Sequence, residues 1–324
     1  MIKITLTKEK REFIEEKYWK LVNQGHPSIK KSFMDGFEEL KKLCPELAKL
    51  LYDEQGRFQM ESFKKYILAD RAQMLSYIDT FKIESGENKT LLNKFFKYSL
   101  ITRNSSQHSI YSILEIMDVQ TCPYCNRQYT STLKRNKVRP TLDHYFPKSK
   151  YPFLALSIWN LVPCCSICNL AKSDYDTRIA PILYPYEQGA GDSTIFHIHL
   201  KDNGSFVKLI YGLEKSFNVS IETSEKFQQP LSTQVKILHL QDLYNEHKAY
   251  ILKILKNSYI NSEEHLDSLY KSYPQLFDSI DDVKNLVYMN DMQEENLIQN
   301  PLSKLTKDIL EDLDIQFYTS TEGV

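Results

Sequence analysis

Much of the N-terminal third shows the hydrophobic spacing of amphipathic helices, with apolar residues recurring three or four positions apart among Lys and Glu. This spacing predicts helices over residues 8–22, 28–51, 60–81 and 89–117, the last stretch holding one or two. Because a proline disfavours helical geometry in the residue before it, the second stretch should break at Cys44-Pro45. We therefore predict a helical N-terminal region, 1–117, and assign no chemistry to it. Its histidines, His26 and His108, are interpreted as ordinary structural or surface residues.

The C-terminal part, 230–324, also shows helical spacing. One apolar stripe consists of Leu243, Tyr250, Ile251, Ile254 and Leu255. Asn300-Pro301 is a typical helix start, with Asn as the cap and Pro at the first helical position. We predict a helical C-terminal region that serves packing or partner binding.

Between these regions, a short part of the chain changes to period-two alternation. Residues 195–200 and 206–211 alternate on either side of Asn203-Gly204, which predicts a β-hairpin within a connector region, 181–229. Residues 217–223 could add a third strand.

His197 and His199 would share one face of the first strand of this hairpin. That spacing could hold a metal ion. Because no third ligand follows nearby, we favour a solvent-facing role for both.

Composition places the chain among globular proteins without a membrane segment. Hydrophobic residues make up 42% and charged residues 26% of 324 residues, which is ordinary for such proteins. No run of about 18 apolar residues occurs, and the N-terminus lacks the apolar core of a signal peptide. We expect a cytoplasmic protein of two domains, or of one core with a large accessory part.

Cysteine spacing provides the first chemical signal. Four of the six cysteines form two Cys-x-x-Cys pairs, a spacing that suits a metal better than a disulfide framework. The pairs are Cys122 with Cys125 and Cys165 with Cys168. Four thiolates complete the tetrahedron that Zn²⁺ prefers and leave no open position, so this zinc should be structural. Cys44 and Cys164 are left over and are interpreted as structural.

Charge is distributed unevenly along the chain. The net charge of the whole chain is −1, but residues 122–172 hold eight basic side chains and one acidic one, Asp143. This local excess of positive charge suits a polyanion such as nucleic acid. Part of it lies at 134–139, which could equally be a solvated loop.

The stretch between and after the cysteine pairs carries the second signal. An Asp-His dipeptide, Asp143-His144, lies within a predicted strand over residues 139–147 that ends at Pro147. Asn160 follows in Trp-Asn-Leu, and Asn169 follows Cys168 on a helix predicted from about Ser166 to Lys172. Over residues 118–180 the sequence resembles the HNH, or ββα-metal, endonucleases that carry a four-cysteine zinc.

The resemblance implies a role for each of these residues. His144 would be the general base, Asn160 would orient it by a hydrogen bond, and Asp143 with Asn169 would bind a catalytic Mg²⁺ or Mn²⁺. The expected reaction is hydrolysis of DNA to 5′-phosphate and 3′-hydroxyl ends. Four basic residues are expected to contact nucleic acid: Lys148, Lys150, Lys172 and Arg127.

The resulting expectation is a mainly α protein with a small α+β core. Its centre would be the zinc-braced HNH module, 118–180, flanked by the helical regions and the hairpin. Two alternatives stay open: a zinc-dependent nucleic-acid-binding or adaptor protein that does not cut, and an HNH nuclease directed to RNA.

The large helical flanks suggest a biological setting. They resemble those of effector nucleases of bacterial anti-phage systems, including systems that pair the nuclease with an ATPase, as in Septu. The chain has no Gly-x-x-x-x-Gly-Lys-Ser/Thr loop, so nucleotide energy would come from a partner protein.

Overall fold

The computed structural model describes residues 1–83, 86–103, 109–133, 138–191, 193, 195–200, 205–213, 216–222 and 228–321. Within them the chain forms two compact units. The N-terminal unit comprises Ile4–Gln120 and Thr130–Pro181, and the C-terminal unit comprises Met1–Lys3, Thr121–Tyr129 and Ile182–Val324. Helices dominate both units, as the sequence predicts. No helix in the described part of the chain is both long and apolar enough to cross a lipid bilayer.

The N-terminal unit contains ten helices and two strands among its described residues. The helices are α1 (Lys8–Lys20), α2 (Pro27–Asp35), α3 (Phe37–Leu43), α4 (Pro45–Leu51), α5 (Met60–Ile67), α6 (Arg71–Thr80), α7 (Gly86–Leu92), α8 (Tyr98–Ile101), α9 (Tyr111–Met117) and α10 (Ser166–Lys172). Strands β1 (Thr141–His144) and β2 (Leu161–Cys164) pair antiparallel. One π-helical turn, Leu21–Gly25, follows α1.

The predicted N-terminal helices are present, but they are divided more often than the spacing indicates. The break at Cys44-Pro45 is confirmed. A second break occurs at Gly36, where a Cβ atom would lie 2.3 Å from the Phe95 ring, so only glycine fits. A third break precedes α6, because Asp70 caps that helix through a capping box. Apolar periodicity continues across such breaks and therefore conceals them.

Several side chains of the N-terminal helices hold the segment between β1 and β2. The hydroxyl of Tyr66 donates to the Phe153 carbonyl at 2.7 Å, and the hydroxyl of Tyr18 donates to the Leu156 carbonyl at 2.6 Å. The indole of Trp159 donates to Glu15 at 2.9 Å. The helical region therefore fixes the loop that lies behind the Asp143-His144 strand.

The C-terminal unit contains seven helices and two strands among its described residues. The helices are α11 (Phe206–Ile210), α12 (Gln228–Ile237), α13 (Leu240–Asn245), α14 (Lys248–Ile260), α15 (Glu263–Ser272), α16 (Ile280–Tyr288) and α17 (Ser303–Thr321). Strands β3 (Phe196–Leu200) and β4 (Phe217–Ile221) pair antiparallel.

The hairpin prediction is partly wrong. The first strand is present as β3, but its partner is β4, within the stretch that could add a third strand. The predicted second strand, 206–211, is helix α11 for most of its length. The apolar residues Phe206, Leu209 and Ile210 also fit a helical spacing, so alternation over six residues did not separate the two structures. The Asn203-Gly204 turn lies outside the described residues.

The start of α17 also differs from the prediction. The helix begins at Ser303, not at Pro301, after Leu302 with a φ of +63°. The cap comes from a distant residue, because the side-chain oxygen of Asn126 accepts from the Lys304 N–H at 3.0 Å. A local Asn-Pro pattern could not reveal this tertiary cap.

Helix α17 also supports strand β3 through buried carboxylates. Asp308 accepts hydrogen bonds from the Ile195 and Phe196 N–H groups at 2.8 and 3.2 Å, and it pairs with the fully buried Lys304. Burial raises the pKa of Asp308, and the ammonium of Lys304 opposes that rise. Asp312 accepts from the Ile198 N–H at 3.0 Å, so buried acidic side chains pair with backbone N–H groups on the edge of β3 that β4 does not cover.

Replacing Lys304 by Met should lower the free energy of unfolding by about 3–5 kcal/mol, because it leaves the buried Asp308 carboxylate without its cation. Lys307→Met is the matched control. Lys307 retains 21% side-chain exposure, lies 3.9 Å from Glu311 and donates to the Gly191 carbonyl at 3.2 Å, so its loss should cost about 1 kcal/mol. Urea denaturation followed by circular dichroism measures both. Equal losses in the two variants would contradict the prediction.

Candidate active site and four-cysteine cluster

The residues predicted to form the active site lie on β1, on α10 and on the segment that connects β1 to β2. Asp143 and His144 end β1, opposite Val162 and Leu161 of β2. Asn169 lies in the middle of α10. The sequence therefore folds locally so that the end of a strand and one face of a helix come together.

Six side chains that bear on the proposed chemistry share one cavity of about 290 Å³. Its lining includes Tyr98, Asp143, His144, Lys148, Asn169 and Asp174. Three of the residues predicted for catalysis and metal binding thus meet at a single opening in the N-terminal unit, together with a lysine predicted to contact nucleic acid.

His144 is buried at the wall of this cavity, and its protonation state follows from its hydrogen bond. Its Nε2 lies 3.2 Å from the Ala155 carbonyl. A carbonyl oxygen only accepts, so Nε2 carries the proton and Nδ1 keeps its lone pair. Burial, followed by the positive charges of Lys148 and Lys172, lowers the pKa of His144 to about 3, although the hydrogen bond to Ala155 opposes the shift. The imidazole is therefore neutral near pH 7 and can accept a proton through Nδ1.

Asn160 is buried, but its side chain does not bond the His144 imidazole as the resemblance implies. Its side-chain oxygen accepts from the Phe146 N–H at 2.8 Å. Its amide nitrogen donates to the Phe146 and Leu154 carbonyls at 3.1 and 3.2 Å. Asn160 therefore braces the loop that presents the Ala155 carbonyl, and it can influence His144 only through that loop.

Asn160→Ala should lower the free energy of unfolding by about 3 kcal/mol or more, because each buried backbone group left unpaired costs about 1–3 kcal/mol. Asn93→Ala is a suitable control, since Asn93 is exposed in the same unit. Urea denaturation of the two variants tests the difference. A cost below about 1 kcal/mol for Asn160→Ala would show that the loop relaxes or admits water.

Lys172 is enclosed and paired with Asp143. Its ammonium lies 3.0 Å from the Asp143 carboxylate and 2.8 Å from the His144 main-chain oxygen. The side chains are 0% and 3% exposed, respectively. This position does not suit the phosphate contact that the sequence predicts for Lys172, because the ammonium has no exposed surface.

The other basic residues named from the sequence occupy different places. Lys148 is exposed at the cavity, with its ammonium 5.0 Å from the centre of the Tyr98 ring. Lys150 is partly exposed and lies 3.6 Å from Asp176. Arg127 belongs to the C-terminal unit, where its Nε donates to His247 at 2.9 Å. The basic loop residues Lys134, Arg135 and Lys137 lie outside the described residues, as does His108.

Two cavity residues, Tyr98 and Asp174, were given no role from the sequence. Tyr98, at the start of α8, packs edge-to-face on His144 with ring centroids 4.6 Å apart. It comes from a region to which we assigned no chemistry, and no local pattern marks it. Asp174 follows Lys172-Ser173 directly and could have been proposed from its position after the helix.

The four cysteines of the two Cys-x-x-Cys pairs come together, as predicted. All four are buried, and their sulfur atoms lie within 4.8 Å of one another. Backbone N–H groups of Arg127 and Cys168 donate to the sulfur atoms of Cys125 and Cys165, each at 3.4 Å. This cluster could hold one zinc ion with Zn–S distances of about 2.3 Å. Cys164 and Cys44 are not members of it.

The remaining histidine motif does not form a comparable cluster. His197 Nδ1 lies 2.9 Å from Asp312, and His199 Nε2 lies 2.7 Å from the Ser220 hydroxyl. Among the residues that the structure describes, three or more potential metal ligands lie within 4.8 Å of one another at the four cysteines alone.

Comparison with known proteins gives one short similarity. The chain is 33% identical over 69 residues to the Septu protein PtuB of Bacillus thuringiensis. The match covers 21% of this chain and 25% of the length of that relative. No protein-family model matches the chain. No solved structure matches it either.

Proposed function

We propose that the protein is a metal-dependent endonuclease of the HNH type that hydrolyses phosphodiester bonds, with DNA as its first substrate. The observation that carries the proposal is the shared cavity. It combines a neutral imidazole, two oxygen-bearing side chains and a lysine, at His144, Asp143, Asn169 and Lys148.

In this proposal His144 is the general base. Its Nδ1 accepts a proton from the water that attacks phosphorus, while the Nε2–H group keeps its hydrogen bond to the Ala155 carbonyl. Tyr98 limits rotation of the imidazole by packing on its ring. Asn160 acts as a positioning residue, because it fixes the loop that carries Ala155.

Asp143 and Asn169 would hold the catalytic divalent ion. A carboxylate and an amide oxygen are hard donors, so the set fits Mg²⁺ or Mn²⁺ better than zinc. Such an ion would neutralise charge on the phosphate and on the departing 3′ oxygen, giving 5′-phosphate and 3′-hydroxyl ends.

Lys148 and Lys150 would contact the phosphates that flank the scissile bond. Both are at least partly exposed in the N-terminal unit, and the ammonium of Lys148 reaches the cavity itself. Arg127 stays a weaker proposal, because its guanidinium already donates to His247.

The similarity to a Septu protein supports a role in anti-phage defence. We extend the proposal to a cytoplasmic protein that acts together with an ATPase partner. Reduced cysteines of the kind that bind zinc are typical of that compartment. Because the similarity covers a small part of both chains, the partner is part of the proposal.

Cleavage of supercoiled plasmid, single-stranded DNA and RNA by the purified protein tests the proposal. We expect nicking or linearisation with Mg²⁺ or Mn²⁺ and none with chelator present. The cut ends should be substrates for DNA ligase without prior treatment. Preference for RNA would support the RNA-directed alternative. Binding of nucleic acid without cleavage under every condition would favour the adaptor alternative.

A further inference from the structure

Lys172 and Asp143 form a buried ion pair at the point where the proposed function requires a metal ligand. The ammonium of Lys172 donates to the Asp143 carboxylate at 3.0 Å and to the His144 main-chain oxygen at 2.8 Å. Neither side chain has more than 3% exposure. The Lys172 ammonium therefore already balances the charge of the carboxylate, and it is held in place by α10 and by the backbone of β1.

A divalent cation bound to the same carboxylate would lie within a few ångströms of this ammonium. Two positive charges at such a distance repel each other, and the repulsion is strong because water is excluded on the lysine side. The cation can bind only by displacing the ammonium from the carboxylate or by sharing the carboxylate at a cost in affinity.

We infer that Lys172 is the internal counter-ion of Asp143 and competes with the divalent metal for its carboxylate, and so sets the metal affinity of the site. The inference rests on the proposed function in one respect, since it takes Asp143 as a metal ligand. Lys172 acts through Asp143 and is a positioning residue, not a catalytic one. This role also explains why Lys172 is fully enclosed. Its ammonium balances the charge of Asp143 while no metal is bound, and it leaves the carboxylate when a metal binds.

A purely structural ion pair would behave differently. In that case the metal would not use Asp143, and replacing Lys172 would destabilise the protein without changing its affinity for metal. The two possibilities are separated by measuring metal binding directly, in the absence of nucleic acid.

The experiment is titration of the full-length, zinc-loaded protein with Mn²⁺ by calorimetry. Mn²⁺ is suitable because it competes poorly with zinc for thiolates. Lys172→Met should bind Mn²⁺ at least about tenfold more tightly than the wild type, because the competing charge is gone. Its melting temperature should be lower than that of the wild type without Mn²⁺ and should rise more when Mn²⁺ is added.

Three further variants complete the test. Lys94→Met, which removes an exposed lysine of the same unit 3.8 Å from Glu39, should leave Mn²⁺ affinity unchanged. Asp143→Asn combined with Lys172→Met should recover apo stability and lose the gain in affinity, because both buried charges are removed together. Lys172→Gln replaces Lys172→Met if that protein does not fold, since an amide can still donate to the His144 oxygen.

Unchanged or weaker Mn²⁺ binding by the Lys172 variant would overturn the inference, as would tight binding that survives in the double variant. Absence of Mn²⁺ binding in all variants would overturn it too. These outcomes are independent of cleavage. A wild type that fails to cut nucleic acid while Lys172→Met gains affinity refutes the nuclease alone, and a cutting wild type without that gain refutes only the inference.

Discussion

His144→Ala is expected to reduce metal-dependent cleavage by a factor of about 10²–10⁴, the usual contribution of a positioned general base. The physical reason is that the imidazole of His144 has one nitrogen lone pair with which to accept a proton. With Nε2 bonded to the Ala155 carbonyl, Nδ1 is the one atom of this imidazole that can take a proton from water. Burial keeps that atom unprotonated near pH 7, so its removal leaves no equivalent base on the same strand. Initial rates of plasmid nicking measure the effect.

The control is His265→Ala, which removes an exposed histidine in the first turn of α15. It should cut at the wild-type rate. Because His144 is buried, melting curves must show that His144→Ala is folded at the assay temperature. Free imidazole added to the variant should restore part of the rate if the cavity admits it. A folded His144→Ala variant that cuts at more than about a tenth of the wild-type rate would exclude His144 as the base.

The parts of the candidate site that the sequence predicted well are those in which spacing determines geometry. Two residues between cysteines allow one turn to present both sulfur atoms, so the pairs were recognisable wherever they lay in the chain. Asp143 and His144 are neighbours on one strand, and Asn169 follows a cysteine of the cluster on α10. They meet at a common cavity because β1 pairs with β2, and α10 follows β2 directly.

The parts that the sequence did not predict depend on tertiary contacts. Tyr98 reaches His144 from a helix more than forty positions earlier, and nothing in its neighbourhood indicates that contact. The partners of Asn160 are backbone groups of a loop, which leave no mark in the sequence. The enclosure of Lys172 shows that a basic segment of the sequence need not form a positively charged surface, because one of its lysines can pair with a buried carboxylate.

The dependence on tertiary contacts also explains the errors in the predicted fold. Residues 206–211 satisfy two periodicities, and the choice between them is made by packing of α11 in the C-terminal unit. The beginning of α17 is set by Asn126, which lies 177 positions before Ser303 and accepts a hydrogen bond from its hydroxyl. Local capping rules describe the residues that are near in sequence and cannot anticipate such a partner.

The structural role of the N-terminal helices gives them an indirect part in the proposed chemistry. Tyr18, Tyr66 and Glu15 hold backbone and side-chain groups of residues 153–159, the segment that includes Ala155. The tautomer of His144 depends on the position of that carbonyl. The helical region therefore helps to orient the proposed base, His144, without supplying a catalytic residue.

Cys165→Ser is expected to have the largest effect on stability. Cys165 is both a member of the four-cysteine cluster and the cap of α10, because its sulfur accepts from the Cys168 N–H at 3.4 Å. Structural zinc contributes about 10–16 kcal/mol of apparent free energy in small zinc domains, which matches or exceeds the whole stability of a typical domain. The variant should lose its zinc, and α10 with the strand before it should unfold, which places Asn169 and Lys172 outside the site.

Elemental analysis and thermal denaturation test this expectation, and the neighbouring cysteine supplies the control. Cys164 is equally buried and differs by one position, but its sulfur lies near the Thr141 hydroxyl at 3.5 Å and not in the cluster. Cys164→Ala should therefore retain one zinc per chain and melt close to the wild type, whereas Cys165→Ser should contain almost none. If Cys164→Ala lost the zinc and Cys165→Ser kept it, the ligand assignment would move to Cys164. If both kept it, neither cysteine would be a required ligand. If Cys165→Ser lost the zinc and still melted close to the wild type, the cluster would owe its stability to packing and not to metal.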